Sequence, residues 1–148
     1  MKVRFLLAAI AATVALPAAA QYAKPEDAVK FRQAAYTIMG NQMGRINAQL
    51  KSGKPDLAAI SAAANTLTAV DHLPWDAFGA GTDMVNSSRA KPELWQQQPK
   101  FKQMSEDLVH AADKLAAAAK SGDVKAIQAA FGETGKTCKT CHDQFRRD

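Results

Sequence analysis

Four stretches of the chain repeat apolar residues every three or four positions, the spacing that lines one side of an α-helix. The first runs from about Pro25 to Leu50 and carries Phe31, Ala35, Ile38, Gln42, Ile46 and Leu50, or the adjacent Met39 and Met43, as its stripe. The second, from about Asp56 to Val70, carries Leu57, Ile60, Ala64 and Leu67. The third spans about Phe101 to Lys120, through Met104, Leu108, Ala111 and Leu115. The fourth runs from Val124 towards Arg146, through Ile127, Phe131, Thr134, Cys138, Cys141 or His142, and Phe145. Two short breaks, "KSGKP" and "KSGD", separate the first pair and the last pair. Each holds a glycine suited to end a helix, and Asp123 is placed to cap the next. Between the second and third stretches lies "DHLPWDAFGAGTDMVNSSRAKPELWQQQP", whose prolines and glycines interrupt any helix. The pattern predicts an all-α fold, an antiparallel four-helix bundle with a long loop between helices 2 and 3.

The start of the chain, "MKVRFLLAAIAATVALPAAAQ", has Lys2 and Arg4, an apolar run from Phe5 to Leu16, and Ala18 and Ala20 where a signal peptidase reads. It reads as a secretory signal peptide covering residues 1–20. The apolar run is shorter than the roughly 18–20 residues needed to cross a bilayer, which argues against a retained anchor. Export to the periplasm as a single domain, residues 21–148, is expected. Cleavage would leave 128 of the 148 residues and, with Lys2 and Arg4 gone, take the net charge from +5 to +3. The remaining charges are mixed, so nucleic acid, an anionic membrane and membrane insertion of the mature chain are not expected.

The two cysteines of the chain stand in "CKTCH", Cys138 to His142. A disulfide across so short a loop would constrain the unfolded chain little. A thioredoxin-like dithiol belongs at a strand-to-helix junction, and no strand precedes this one. Zinc needs four ligands, and His72 and His110 are the only other histidines. Covalent haem c needs only what is present. Thiols three residues apart share a helix face and can bond the two vinyl groups on one porphyrin edge, while His142 projects from that face as an iron ligand.

The helical organisation and this motif near the C-terminus, with "KPEDAVKFRQAAYTIMG", "LPWDAFGAGT" and "CKTCHDQFRR", resemble the cytochrome c′ family of helical class II cytochromes c. The resemblance covers essentially the whole chain after residue 20. It implies a basic residue beside the proximal histidine, matched by Arg146, and haem-edge contacts at Arg32 and Gln33, with Thr82 and Asp83 as weaker matches. Low-spin members place a methionine ligand where this chain has Tyr36, so a five-coordinate, high-spin haem with a crowded distal face is expected. Trp75 and Phe78 are expected to cover the ring, and the Gly79–Asp83 turn to fold against its edge. Met39 and Met43 read as core filling, although either as a ligand would give a six-coordinate, low-spin electron carrier. Gly132 and Gly135 lower helix stability and fit a close approach by a helix or the porphyrin. Trp95 is assigned to packing, and His72 and His110 receive no role.

The function implied is binding of small diatomic gases such as nitric oxide, together with one-electron exchange with an unidentified redox partner protein. Family members commonly form homodimers through the first two helices. A peroxidase reading lacks a distal His–Arg pair, and a neutral tyrosine is a weak general acid, so the chain is read as a non-enzyme.

Overall fold

In the computed structural model, which describes residues 21–147, the chain folds as helices α1 (Pro25–Lys51), α2 (Leu57–Val70), α3 (Glu93–Gln96), α4 (Gln98–Ser121) and α5 (Val124–Phe145). The expected signal segment, residues 1–20, lies outside the described residues. The four long helices form the antiparallel bundle: α1 packs on α2, α2 on α4, α4 on α5, and α5 returns to α1. Local chemistry sets the ends. Asp56 Oδ1 accepts from Ala59 N at 3.0 Å, and Asp123 Oδ1 from Lys125 N and Ala126 N at 2.9 and 3.2 Å. Each bond satisfies first-turn donors that have no partner within their helix. Gly122 ends α4 in the left-handed conformation at φ 74°, where a side chain would be strained.

Two details depart from the sequence reading. The third long helix starts at Gln98 rather than Phe101, because Pro99 sits in its first turn, where a missing N–H costs nothing. On α1 the buried row is Ala28, Arg32, Ala35, Met39, Gln42 and Ile46, a regular alternation of four and three. Ile38, expected on that stripe, is 41 % exposed, and Met39 takes the core position. Two polar residues, Arg32 and Gln42, therefore sit in the inward row.

The core has two parts. One joins Ile46, Ile60, Leu67, Leu115 and Ile127 through the middle of the bundle. The other joins Leu94, Phe101 and Phe145 with the half-buried Trp75, Phe78 and Trp95 at the end where the long connection packs. That connection is ordered by a 3-10 turn at Trp75–Ala77, by α3, and by an antiparallel bridge between Ala90 and Arg146. The bridge fixes the loop against the C-terminal end of α5, beside the cysteines.

Candidate haem-binding site

Helix α5 presents the motif because its buried row, Ile127, Ala130, Thr134 and Phe145, turns Cys138 and Cys141 half inward. Thr134 fixes the rotation: its hydroxyl donates to Ala130 O at 2.9 Å and reaches Ala111 O on α4 at 3.2 Å. Both cysteines are free thiols. Burial raises the Cys138 thiol; burial, and then the neighbouring Cys138, push Cys141 up to about 11. Reactive dithiols need the opposite shift, so the site is poorly suited to disulfide exchange.

The cysteines border a cavity of about 900 Å³ between α1, α4, α5 and the long connection. Of the residues singled out in the sequence, it gathers Arg32, Gln33, Tyr36, Trp75, Phe78, Cys138, Cys141, His142 and Arg146. Met39 and Met43 also line it, as do Leu108 and Phe131. Thr82 and Asp83 are not among the lining residues. Thr82 is buried behind the wall, where its hydroxyl donates to Gly79 O at 2.8 Å and accepts from Arg32 at 3.1 Å.

Tyr36 projects from α1, with Trp75 edge-on to its ring at 5.9 Å between centroids. Burial, reinforced by the cysteines and opposed by Arg32, raises its phenol far above the ordinary value, so it stays neutral. Phe101 stands edge-on to Trp75 at 5.9 Å and to Phe78 at 4.8 Å, which closes an aromatic wall.

Arg32 lines the cavity and also clasps the long connection. It is 3 % exposed, and it spans the connection rather than reaching outwards. Nη1 donates to Ala77 O at 2.7 Å and to Thr82 Oγ1, while Nη2 donates to Ser88 Oγ at 2.8 Å. The guanidinium carbon lies 4.1 Å from the Phe78 ring centroid. Among the described residues no carboxylate pairs with it. Gln33 does a related job from the surface, donating to Ser87 O at 2.8 Å.

His142 is exposed at the mouth, its Nδ1 3.4 Å from Arg146 Nη1. Desolvation, then the positive charges of Arg146 and Arg89, lower its pKa against the pull of Asp143, which favours the neutral imidazole a metal requires. Trp95 is more than packing: its Nε1 donates to Phe78 O at 2.9 Å and holds the aromatic wall. His72 lies 3.7 Å from Asp71, and His110 is exposed on α4. Sequence reasoning missed Ser88 and Arg89.

A helical bundle with a Cys-x-x-Cys-His face on its last helix, bordering a large apolar cavity, has the architecture of a class II c-type cytochrome. The comparisons agree. The cytochrome C′ family model matches residues 27–146. The cytochrome c′ of Alcaligenes xylosoxydans xylosoxydans is 44 % identical over 128 residues, covering 86 % of this chain and 98 % of the relative. A nitric oxide complex of a variant Alcaligenes xylosoxidans cytochrome c′ superposes with a TM-score of 0.80 at 43 % identity, covering 86 % of this chain and 99 % of that one. A cytochrome c′ with ligand-controlled dimer dissociation superposes at 0.81 with 36 % identity, covering 84 % and 98 %. The chain belongs to the cytochrome c′ family.

Proposed function

We propose that the chain carries one haem c, held by thioethers at Cys138 and Cys141 with His142 as a ligand to its iron, and that it binds small neutral diatomics and exchanges single electrons. Its residues fit the group. The cavity lies within the roughly 300–1,000 Å³ range of cofactor pockets. Trp75, on the wall, has a buried Nε1 with no hydrogen-bond partner. Arg32 is a buried cation with no carboxylate beside it among the described residues, although its four bonds already occupy both terminal nitrogens. A donor without an acceptor and a cation without an anion are what a propionate-bearing ring supplies with partners.

Bound haem would supply an iron capable of one-electron exchange and of taking up a diatomic ligand. The chain's residues decide what reaches it. Tyr36, neutral and bulky, is a poor ligand and a steric guard, and with Trp75 and Phe101 it keeps its part of the cavity apolar. Such a wall admits nitric oxide or carbon monoxide and turns away anions and larger molecules. Arg146, beside His142, carries the charge that tunes the proximal side. Binding rather than catalysis is the activity read here. Export to the periplasm is supported by the pattern of residues 1–20, and homodimerisation by the exposed side chains of Ile38 on α1 and Leu57 on α2.

The single observation that carries this reading is the Cys138–Cys141–His142 face bordering an apolar cavity that Tyr36 also lines. A second reading, six-coordinate and low-spin, draws on Met39 and Met43 lining the same cavity. Absorption spectra of both oxidation states, with and without carbon monoxide or nitric oxide, separate the two. High-spin bands and gas uptake by the reduced protein are expected. A low-spin ferric spectrum with a methionine-to-iron band would install the second reading instead.

A further inference from the structure

Next to the haem cavity, and sharing His142, Arg89 and Arg146 with it, is a smaller cleft of about 500 Å³. Lys91, Asp143 and Arg147 complete its lining. Two chain segments more than 50 residues apart are brought together here by the Ala90–Arg146 bridge, with Lys91 N donating to Phe145 O and Arg147 N to Arg89 O, each at 2.8 Å. The cleft therefore holds four cations and one carboxylate, and Lys139 already neutralises that carboxylate at 2.6 Å. Among the described residues none of the four cations makes a salt bridge. Lys100, tied to Gln144 at 3.0 Å, adds a further cation at the same end.

A structural explanation covers part of this. Cations stabilise the negative end of a helix, and Lys91 Nζ donates to Asp143 O while Arg89 Nη2 donates to Arg147 O, each at 3.1 Å. Carbonyl dipoles carry no formal charge, however, and among the described residues no carboxylate pairs with these four cations. Arg89, Arg146 and Arg147 are exposed, and Lys91 is half-buried. The described chain mixes its charges elsewhere, so the concentration of cations at the attachment face is a local feature.

We propose that this cleft is the docking surface for an acidic, one-electron redox protein. The proposal rests on the haem reading above and deepens its electron-transfer part. The carboxylates of the partner would meet Arg89, Lys91, Arg146 and Arg147 beside His142. With haem bound, the site would supply one electron to the partner's acceptor centre, the iron being oxidised and that centre reduced by one. Opposed charges of this kind steer encounter and set orientation, and screening shortens their reach to about 10 Å at 0.1 M salt.

The test uses the exported holoprotein and an acidic blue-copper protein as the probe. Amide chemical shifts are followed on titration, and oxidation of the reduced holoprotein is timed by stopped flow at 10 to 200 mM salt. Shifts confined to residues 89–91 and 143–147 are expected, with a rate that falls steeply with salt. The Lys91→Gln/Arg147→Gln variant, whose two positions do not line the haem cavity, should slow the reaction roughly tenfold, which is the lower end of electrostatic steering. Its melting temperature and absorption spectrum serve as the folding control, and the salt series on the native protein needs no variant at all. Shifts elsewhere, or a rate indifferent to salt and to the double substitution, would overturn the docking surface. Hexacyanoferrate separates two other failures. If the variant slows hexacyanoferrate but not the acidic protein, the cleft is a small-anion site and the partner proposal is wrong. If hexacyanoferrate itself takes no electron from the reduced protein, the redox reading fails and the docking surface falls with it.

Discussion

Replacing Arg32 with methionine removes the clasp that closes the long connection over the cavity. Methionine keeps most of the length and the apolar stem, so the change isolates the guanidinium. Three contacts of 3.1 Å or shorter are lost, to Ala77 O, Thr82 Oγ1 and Ser88 Oγ, together with the stacking at 4.1 Å on Phe78. A bond to a charged group contributes about 1.5–3 kcal/mol, and a buried acceptor left bare costs about 1–3 kcal/mol. Against this, methionine no longer has to desolvate a cation, which returns several kcal/mol. The acceptors cannot easily recover water, because Ala77, Thr82 and Ser88 are all at most 6 % exposed. The net expectation is a loss of about 3 kcal/mol, the scale seen when one partner of a buried charged network is deleted. Urea unfolding of the holoprotein measures it. With a slope of about 1–3 kcal/mol per molar, the midpoint should fall by roughly 1–3 M. Hydrogen exchange should locate the damage, with faster exchange at Thr82 and Ser88 and unchanged protection at Leu115. A loss below about 1 kcal/mol, or one spread evenly over the bundle, would refute the clasp.

Three further outcomes are expected. Tyr36→Ala should speed carbon monoxide binding to the reduced protein by at least about tenfold, equivalent to about 1.4 kcal/mol of barrier, and Tyr36→Met should convert the spectrum to low-spin; stopped-flow mixing and absorption read the two effects. Leu115→Ala, at a site with 0 % exposure in the middle of the bundle, should cost about 2–5 kcal/mol in denaturant unfolding, with the haem spectrum retained. Asp71 is buried with one oxygen unpartnered, and burial, with Asp113 nearby, raises its carboxyl from 3.8 to about 6 despite His72. The folded protein therefore binds this proton more tightly than the unfolded chain, so the stability it contributes is present below about pH 4 and lost as pH rises through 6. Asp71→Asn should be more stable than the native protein at pH 8 and should flatten that decline in a series of thermal melts.

The bundle was legible in the sequence because helical period and break residues are local signals. Asp123, Gly122 and the stripe from Ile127 to Phe145 fall where short-range rules put them. The motif was legible for the same reason, since the spacing of Cys138, Cys141 and His142 fixes their shared face. Legibility ended where a choice between neighbours depends on tertiary packing. Ile38 and Met39 are both apolar, and only the contacts of α1 with α2 and α5 decide that Met39 goes inside. For Arg32 the family resemblance points to the haem edge, and the residue does line the cavity. Its bonds to Ala77, Thr82 and Ser88 span 45 to 56 residues, and no local rule predicts them. Thr82 and Asp83 do not line the cavity, and a turn's sequence does not say which way it folds back. The basic cleft was invisible for the plainest reason, since Arg89 and Lys91 meet Arg146 and Arg147 only through the bridge at Ala90.

The intact mass of the exported protein under denaturing conditions tests the central claim most directly, because only a covalent bond survives unfolding. The expected mass is that of residues 21–148 plus one haem, lost when Cys138 and Cys141 are both replaced by alanine. A mass equal to the bare polypeptide, from a preparation in which another c-type cytochrome matures normally, would contradict it.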